Sequence, residues 1–140
     1  MKRHIATPTN TEFVINDGEF IVSKTDAKGI IKYANAEFIK ISGFTEEELI
    51  GQPHNIVRHP DMPKAAFKDL WDTVRTGKQW KGIVKNLCKC GGFYWVDAYV
   101  TPSYQNGEII GFMSVRRRPT QEQIDSATGL YADMLAEEMA

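Results

Sequence analysis

A chain of 140 residues with 42% hydrophobic and 25% charged side chains has the make-up of one domain with a real core, plus at most a terminal extension. A formal net charge of −1 gives no electrostatic case for binding nucleic acid. No apolar run approaches the ~18 residues that cross a membrane and Met1-Lys2-Arg3-His4 does not open a signal peptide, so the fragment is expected to be cytoplasmic without inserting into a membrane itself.

Residues 1–18 are polar around Thr7-Pro8-Thr9-Asn10-Thr11 and read as an arm or cap, ordered by docking. The compact domain, expected over residues 19–119, opens with a strand at Phe20–Thr25, a tight turn at Asp26-Ala27-Lys28-Gly29 and a strand from Ile30 to Tyr33. Asn35 suits the cap of a short helix over Ala36–Ile41 that stops at Ser42-Gly43. Thr45-Glu46-Glu47-Glu48 has the Thr-x-x-Glu spacing of a capping box and opens another.

Gly51 to Pro63 holds three prolines, two histidines, Arg58 and Asp61, a density of proline that neither a helix interior nor a central strand tolerates. It is a stiffened connector that either presents polar groups to a ligand or is a solvated loop whose Asp61 caps the next helix. That helix runs from Pro63 to Thr76, with Ala66, Phe67, Leu70, Trp71 and Val74 on one face and Gly77 as its stop.

Three strands follow, parted by hairpin signals at Cys90-Gly91-Gly92 and Gln105-Asn106-Gly107. From Trp80 to Cys88, Asn86 shares a face with Trp80. A buried amide there needs partners or costs about 1–3 kcal/mol, and a ligand edge or a neighbouring loop can supply them. The next strand sets Tyr94, Val96, Ala98 and Val100 against Phe93, Trp95, Asp97 and Tyr99, and the last strand is likewise apolar on both sides. Its second face therefore needs a cover: the arm, the C-terminal helix or another chain. Arg116 to Arg118 form the one basic block and read as a solvated strand end. Cys88 and Cys90 stand too close for an ordinary disulfide within one strand and are expected as reduced thiols; two thiols leave a zinc site half-built, so no metal is expected. Residues 120–140 lack lysine and arginine and carry Ile124, Ala127, Tyr131, Met134 and Leu135 as a helical stripe.

Strand, strand, short helices, one longer helix and three strands is the order of the PAS fold, an α+β architecture with a five-stranded antiparallel sheet and helices over one face. Within it, Gly51 to Phe67 closely resembles the PAS domain of bacterial aerotaxis receptors. So do Trp80-Lys81-Gly82-Ile83-Val84-Lys85-Asn86, Tyr94-Trp95-Val96, Tyr33-Ala34-Asn35 and Ser42-Gly43-Phe44-Thr45. The resemblance implies non-covalent binding of FAD. It maps flavin-binding positions onto Arg58, His59 and Asp61, with Asn35, His54, Trp80 and Asn86 lining the site. Arg58 and His59 suit a pyrophosphate, the two asparagines a polar ring edge, and Trp80 an apolar wall.

The resemblance also implies a sensor, not an enzyme, that reports redox or oxygen status to a chemotaxis signalling region beyond residues 120–140, in a receptor tethered at the inner face of a bacterial membrane. Phe93, Trp95, Tyr99 and Phe112 are expected to form an outer sheet face that docks this region. Homodimeric pairing of PAS domains is a further expectation. A PAS domain that binds haem or another small ligand, or a ligand-free docking module, are the alternative readings. The chain more distantly resembles the light-sensing LOV branch. There His54 holds the place of the photoreactive cysteine and Met113 that of the switching glutamine, so no cysteinyl-flavin adduct is expected.

Overall fold

The computed structural model describes residues 6–140, so the first five residues of the expected arm lie outside it. Local chemistry accounts for the first elements. Strands β1 (Ile21–Asp26) and β2 (Ile31–Ala34) are joined by a turn in which the Asp26 carboxylate accepts from the Lys28 and Ile30 amides at 2.9 and 3.0 Å. Gly29 completes the turn at φ +86°, and an added Cβ would lie 3.1 Å from the Trp71 ring. Helix α1 (Ala36–Ser42) starts where the Asn35 side chain accepts from the Phe38 amide, and ends at Gly43 in the left-handed region. Helix α2 (Glu46–Leu49) opens on a complete capping box between Thr45 and Glu48.

The connector contains a short 3-10 turn, His54–Val57, and leads into helix α3 (Lys64–Arg75). Asp61 does not cap α3. Its carboxylate meets the Lys85 ammonium at 2.8 Å instead. The capping carboxylate comes from the far end of the chain, where Glu138 accepts from the Lys64 and Ala65 amides at 3.0 Å each. Strands β3 (Trp80–Leu87), β4 (Phe93–Gln105) and β5 (Glu108–Arg117) and helix α4 (Gln121–Met139) follow.

The five strands form one antiparallel sheet in the order β2-β1-β5-β4-β3. Helix α3, the connector and α1 cover its inner face. Register sets which side chains turn inward: Trp80 lies opposite Val100, Val100 opposite Ser114, and Asn86 opposite Tyr94. On this parity Phe112, Ser114 and Arg116 point inward with Val96 and Val100. Phe112 is buried against the Trp71 ring, centroids 5.4 Å apart, and is not part of the outer aromatic face expected from the sequence. Arg116 is likewise only 2% exposed, so the arginine block is not uniformly a solvated strand end.

The outer face carries Phe93, Trp95 and Tyr99. Trp95 is buried, and the Lys85 ammonium sits 4.5 Å from the Phe93 ring and 5.7 Å from the Trp95 ring. Pairing of β4 with β5 stops at Asp97 opposite Arg117, which leaves the backbone of Phe93 free. The arm takes that edge: Phe93 donates to the Thr11 carbonyl and Phe13 to the Phe93 carbonyl, at 2.9 and 2.8 Å, and Ile15 is buried. Helix α4 packs on β3 and α3, burying Ala127 and Tyr131, and the Tyr131 hydroxyl donates to the Ile83 carbonyl. Arm and C-terminal helix thus each supply part of the cover that the two-sided strands demand.

Candidate ligand cavity

Two sets of backbone bonds place the connector. At one end the Gln52 and Gly29 carbonyls accept from Ile31 and His54, at 2.9 and 3.0 Å, tying it to the β1–β2 turn. At the other, Arg58 forms a β-bridge with Asn86 on the free edge of β3, and the Lys85 amide donates to the Met62 sulfur. A proline-stiffened segment fixed at both ends cannot collapse onto the sheet. A cavity of about 370 Å³ remains between connector, α3 and the inner face, within the about 300–1,000 Å³ range of small-molecule sites.

Its walls are apolar: Val57, Phe67, Leu70, Trp71, Val84, Val96, Val100 and Phe112. Trp80 joins them through its neighbour two residues on, because its indole occupies the space where a Cβ on Gly82 would lie. The indole N–H donates to the Asp69 carboxylate at 2.9 Å, which holds the ring edge toward α3.

The charge on the lining is one-sided. Among the described residues, Lys28, Arg58, Lys68, Arg75 and Arg116 contribute to it and no aspartate or glutamate does, while Asp72, outside the lining, pairs with Lys68 at 2.6 Å. Arg58 stacks on Phe67 at 4.4 Å and Arg75 on Trp71 at 5.1 Å, so both guanidiniums are braced by aromatic faces of α3. Arg116 is the least expected member. It stacks on Phe38 at 4.5 Å, donates to the Ser23 hydroxyl at 2.7 Å and approaches His54 Nε2 at 3.4 Å. None of these partners is a carboxylate, and its Nε has no hydrogen-bond partner among the described residues. Burial lowers its pKa from 12.5 to about 10, which leaves it charged at neutral pH.

His54 stacks on Phe38 with ring centroids 5.8 Å apart, and its Nε2 lies 2.9 Å from the Ser23 hydroxyl. Burial first, and the Arg116 charge second, push its pKa down to about 3. It is therefore neutral. Arg116 and Ser23 both present donors to Nε2, so that nitrogen accepts and the ring proton resides on Nδ1. The Tyr94 hydroxyl is buried nearby on the strand facing Asn86, and burial raises its pKa.

The cavity thus brings together His54, Arg58, Trp80 and Asn86 of the seven residues expected at the site. It does not bring in the other three. Asn35 spends its side chain on structure, accepting from Val22 and Phe38 amides and donating to the Phe20 carbonyl. His59 is buried outside the cavity, with Nδ1 accepting from the Asp61 amide and its ring edge against Phe93 at 6.3 Å. Burial and the neighbouring Lys85 lower its pKa, so the 3.8 Å approach to Asp61 is not an ion pair at neutral pH. Asp61 is exposed; the Lys85 hydrogen bond lowers its pKa and holds it at the β3 edge. Met113 faces away from the cavity; the inward residue near the end of β5 is Arg116. Strand alternation from Phe112 through Ser114 would have revealed it, had the parity of β5 been known.

The family model for the PAS fold matches residues 31–116. The chain belongs to the PAS-fold family. Among solved structures, it is similar to a light-oxygen-voltage domain studied with a flavin analogue, with a TM-score of 0.68 at 16% identity over 81% of this chain and 86% of that one. A PAS domain from Colwellia psychrerythraea gives a TM-score of 0.61 at 25% identity, over 73% of this chain and 87% of that one. Among curated proteins, the aerotaxis receptor of Escherichia coli (strain K12) is 50% identical over 115 residues, 82% of this chain and 23% of the receptor. The nitrogen fixation regulatory protein of Klebsiella pneumoniae is 27% identical over 105 residues, 74% of this chain and 21% of that protein. The chain therefore spans less than a quarter of these two relatives, which are named as a receptor and a regulator.

Proposed function

We propose that this PAS domain binds FAD without a covalent bond and serves as a redox sensor for a chemotaxis signalling module in a longer receptor. The observation that carries the reading is the lining of the cavity: apolar and aromatic walls with five cations and, among the described residues, no acid. Such a lining selects a flat, largely apolar ligand that carries negative charge. Half-identity to an aerotaxis receptor supports the signalling context.

A bound flavin supplies reversible electron transfer. The residues do the rest. Val84, Val96, Val100 and Phe112 exclude water from the floor of the cavity. Asn86 offers a donor and an acceptor beside the buried Tyr94 hydroxyl. Arg116 sets a fixed positive charge, and neutral His54 keeps a second charge from forming beside it. Lys28, Arg58, Lys68 and Arg75 suit the phosphates of a dinucleotide, Arg58 through its planar donors. Because Arg58 also bridges Asn86 through the backbone, a change in hydrogen bonding at Asn86 reaches the connector directly. Signal output through the outer face around Tyr99, and membrane tethering of the whole receptor, belong to the same proposal.

Haem is disfavoured because His54 Nε2 is committed to Ser23 and Arg116, and His59 lies outside the cavity. Titration with FAD and with riboflavin, followed by flavin fluorescence, tests the reading. FAD should bind more than about tenfold tighter, because riboflavin lacks the phosphates that the cations would hold. The gap should narrow in the Lys28→Ala/Lys68→Ala variant. Equal affinity for the two would refute the assignment of the cations.

A further inference from the structure

Cys88 and Cys90 have no part in the cavity, and the fold changes what they can do. Strand β3 ends at Leu87, so neither cysteine lies in a strand. They occupy a turn closed by Gly91 N–H to the Cys88 carbonyl, 2.9 Å, and Cys88 N–H to the Gly92 carbonyl, 2.8 Å. Two trans peptide steps of about 3.8 Å cannot part their Cα atoms by much more than about 7 Å, and a turn shortens that into the about 4.4–6.8 Å that a disulfide spans. The thiols differ sharply in environment: Cys90 is exposed, whereas Cys88 is buried with its thiol donating to the Ile41 carbonyl at 3.3 Å.

We propose that Cys88 and Cys90 form an oxidisable dithiol, a redox-modification site separate from the cavity, which hydrogen peroxide converts to an intrachain disulfide. The Cys90 sulfur attacks one peroxide oxygen and the O–O bond breaks, leaving a sulfenic acid and water. The Cys88 sulfur then attacks the Cys90 sulfur, the S–O bond breaks, and the S–S bond forms with loss of a second water. In sum two thiols give up two electrons and two protons, and one peroxide becomes two waters. Cys90 is the exposed sulfur and meets the oxidant first; Cys88, buried and pushed up to about 12, is held next to the sulfenic acid, where proximity offsets its small thiolate fraction. The bond forms in the turn that holds the arm, where Thr9 donates to the Gly91 carbonyl at 2.9 Å, so oxidation is felt by the arm.

The test uses the full chain, treated with hydrogen peroxide, denatured, alkylated and weighed. The expected product is a monomer lighter by about 2 Da with both cysteines protected from alkylation until dithiothreitol is added. Cys88→Ser should instead trap Cys90 as a dimedone-reactive sulfenic acid, and Cys90→Ser should leave Cys88 reduced. Over-oxidation of Cys90 beside a still-alkylatable Cys88, or a Cys90-linked dimer, would overturn the proposal. So would failure of Thr9 amide exchange to accelerate in the oxidised protein, for the link to the arm. Both readouts are blind to whether a flavin is bound.

Discussion

Replacing Arg116 by methionine should stabilise the ligand-free protein and weaken its hold on FAD. The fall in the guanidinium pKa from 12.5 to about 10 corresponds to about 3 kcal/mol of penalty on a charge buried without an acid. Against this stand the stacking on Phe38 and the hydrogen bond to Ser23, together about 1–2 kcal/mol. Ser23 keeps its contact with His54 in the variant, and methionine fills most of the vacated space. The net expectation is a gain of about 1–2 kcal/mol for Arg116→Met without flavin, read as a rise in Tm of about 3–7 °C. Urea unfolding of wild type and variant, each with and without saturating FAD, separates the two effects. The variant should be the more stable without flavin and bind FAD at least about tenfold more weakly. A variant less stable without flavin by a similar amount, with unchanged FAD affinity, would show that Arg116 is a structural residue and would refute the reasoning.

His54 gives a pH signature. Its folded pKa of about 3 lies below the ordinary 6.5, so the unfolded chain binds the extra proton between those values. Its penalty is absent above about pH 6.5 and grows as pH falls toward 3; urea midpoints of wild type should therefore drop more steeply with acid than those of His54→Gln, and parallel slopes would contradict this. Asn35→Ala should lower stability by about 1–2 kcal/mol through loss of the α1 cap while the folded variant keeps the wild-type affinity for FAD; titration of both proteins checks it. Glu138→Ala should speed exchange of the Lys64 and Ala65 amides and expose α4 to proteases. The Glu138 pKa is lowered by those two amides, so its contribution is present above the ordinary 4.5 and is lost as pH falls through the folded value. Exchange rates that match wild type at pH 7 would exclude the capping role.

How much of this was legible in the sequence depended on how local each signal is. Turn glycines, the Asn35 and Thr45 caps and the proline connector are read within a few residues, and the structure realises each of them. The site was harder. Asn35 carries the same amide as Asn86, but its partners Val22 and Phe20 lie across a hairpin, and it does not line the cavity. Asp61 finds Lys85, 24 residues on, and Glu138 reaches Lys64 across 74 residues; no local pattern announces either. Phe112 and Arg116 turned inward because β4 pairs with β5 through a register shift at Ser103/Tyr104. A strand apolar on both faces hides its own parity, and the buried cation was hidden with it.

The visible spectrum of the freshly purified chain, with acid release of whatever is bound and a dithionite cycle, bears most directly on the central claim. Flavin absorption from about one FAD per chain, bleached by dithionite and restored by air, is the result this account predicts. A colourless protein that takes up no added FAD, or one with a Soret band, would contradict it.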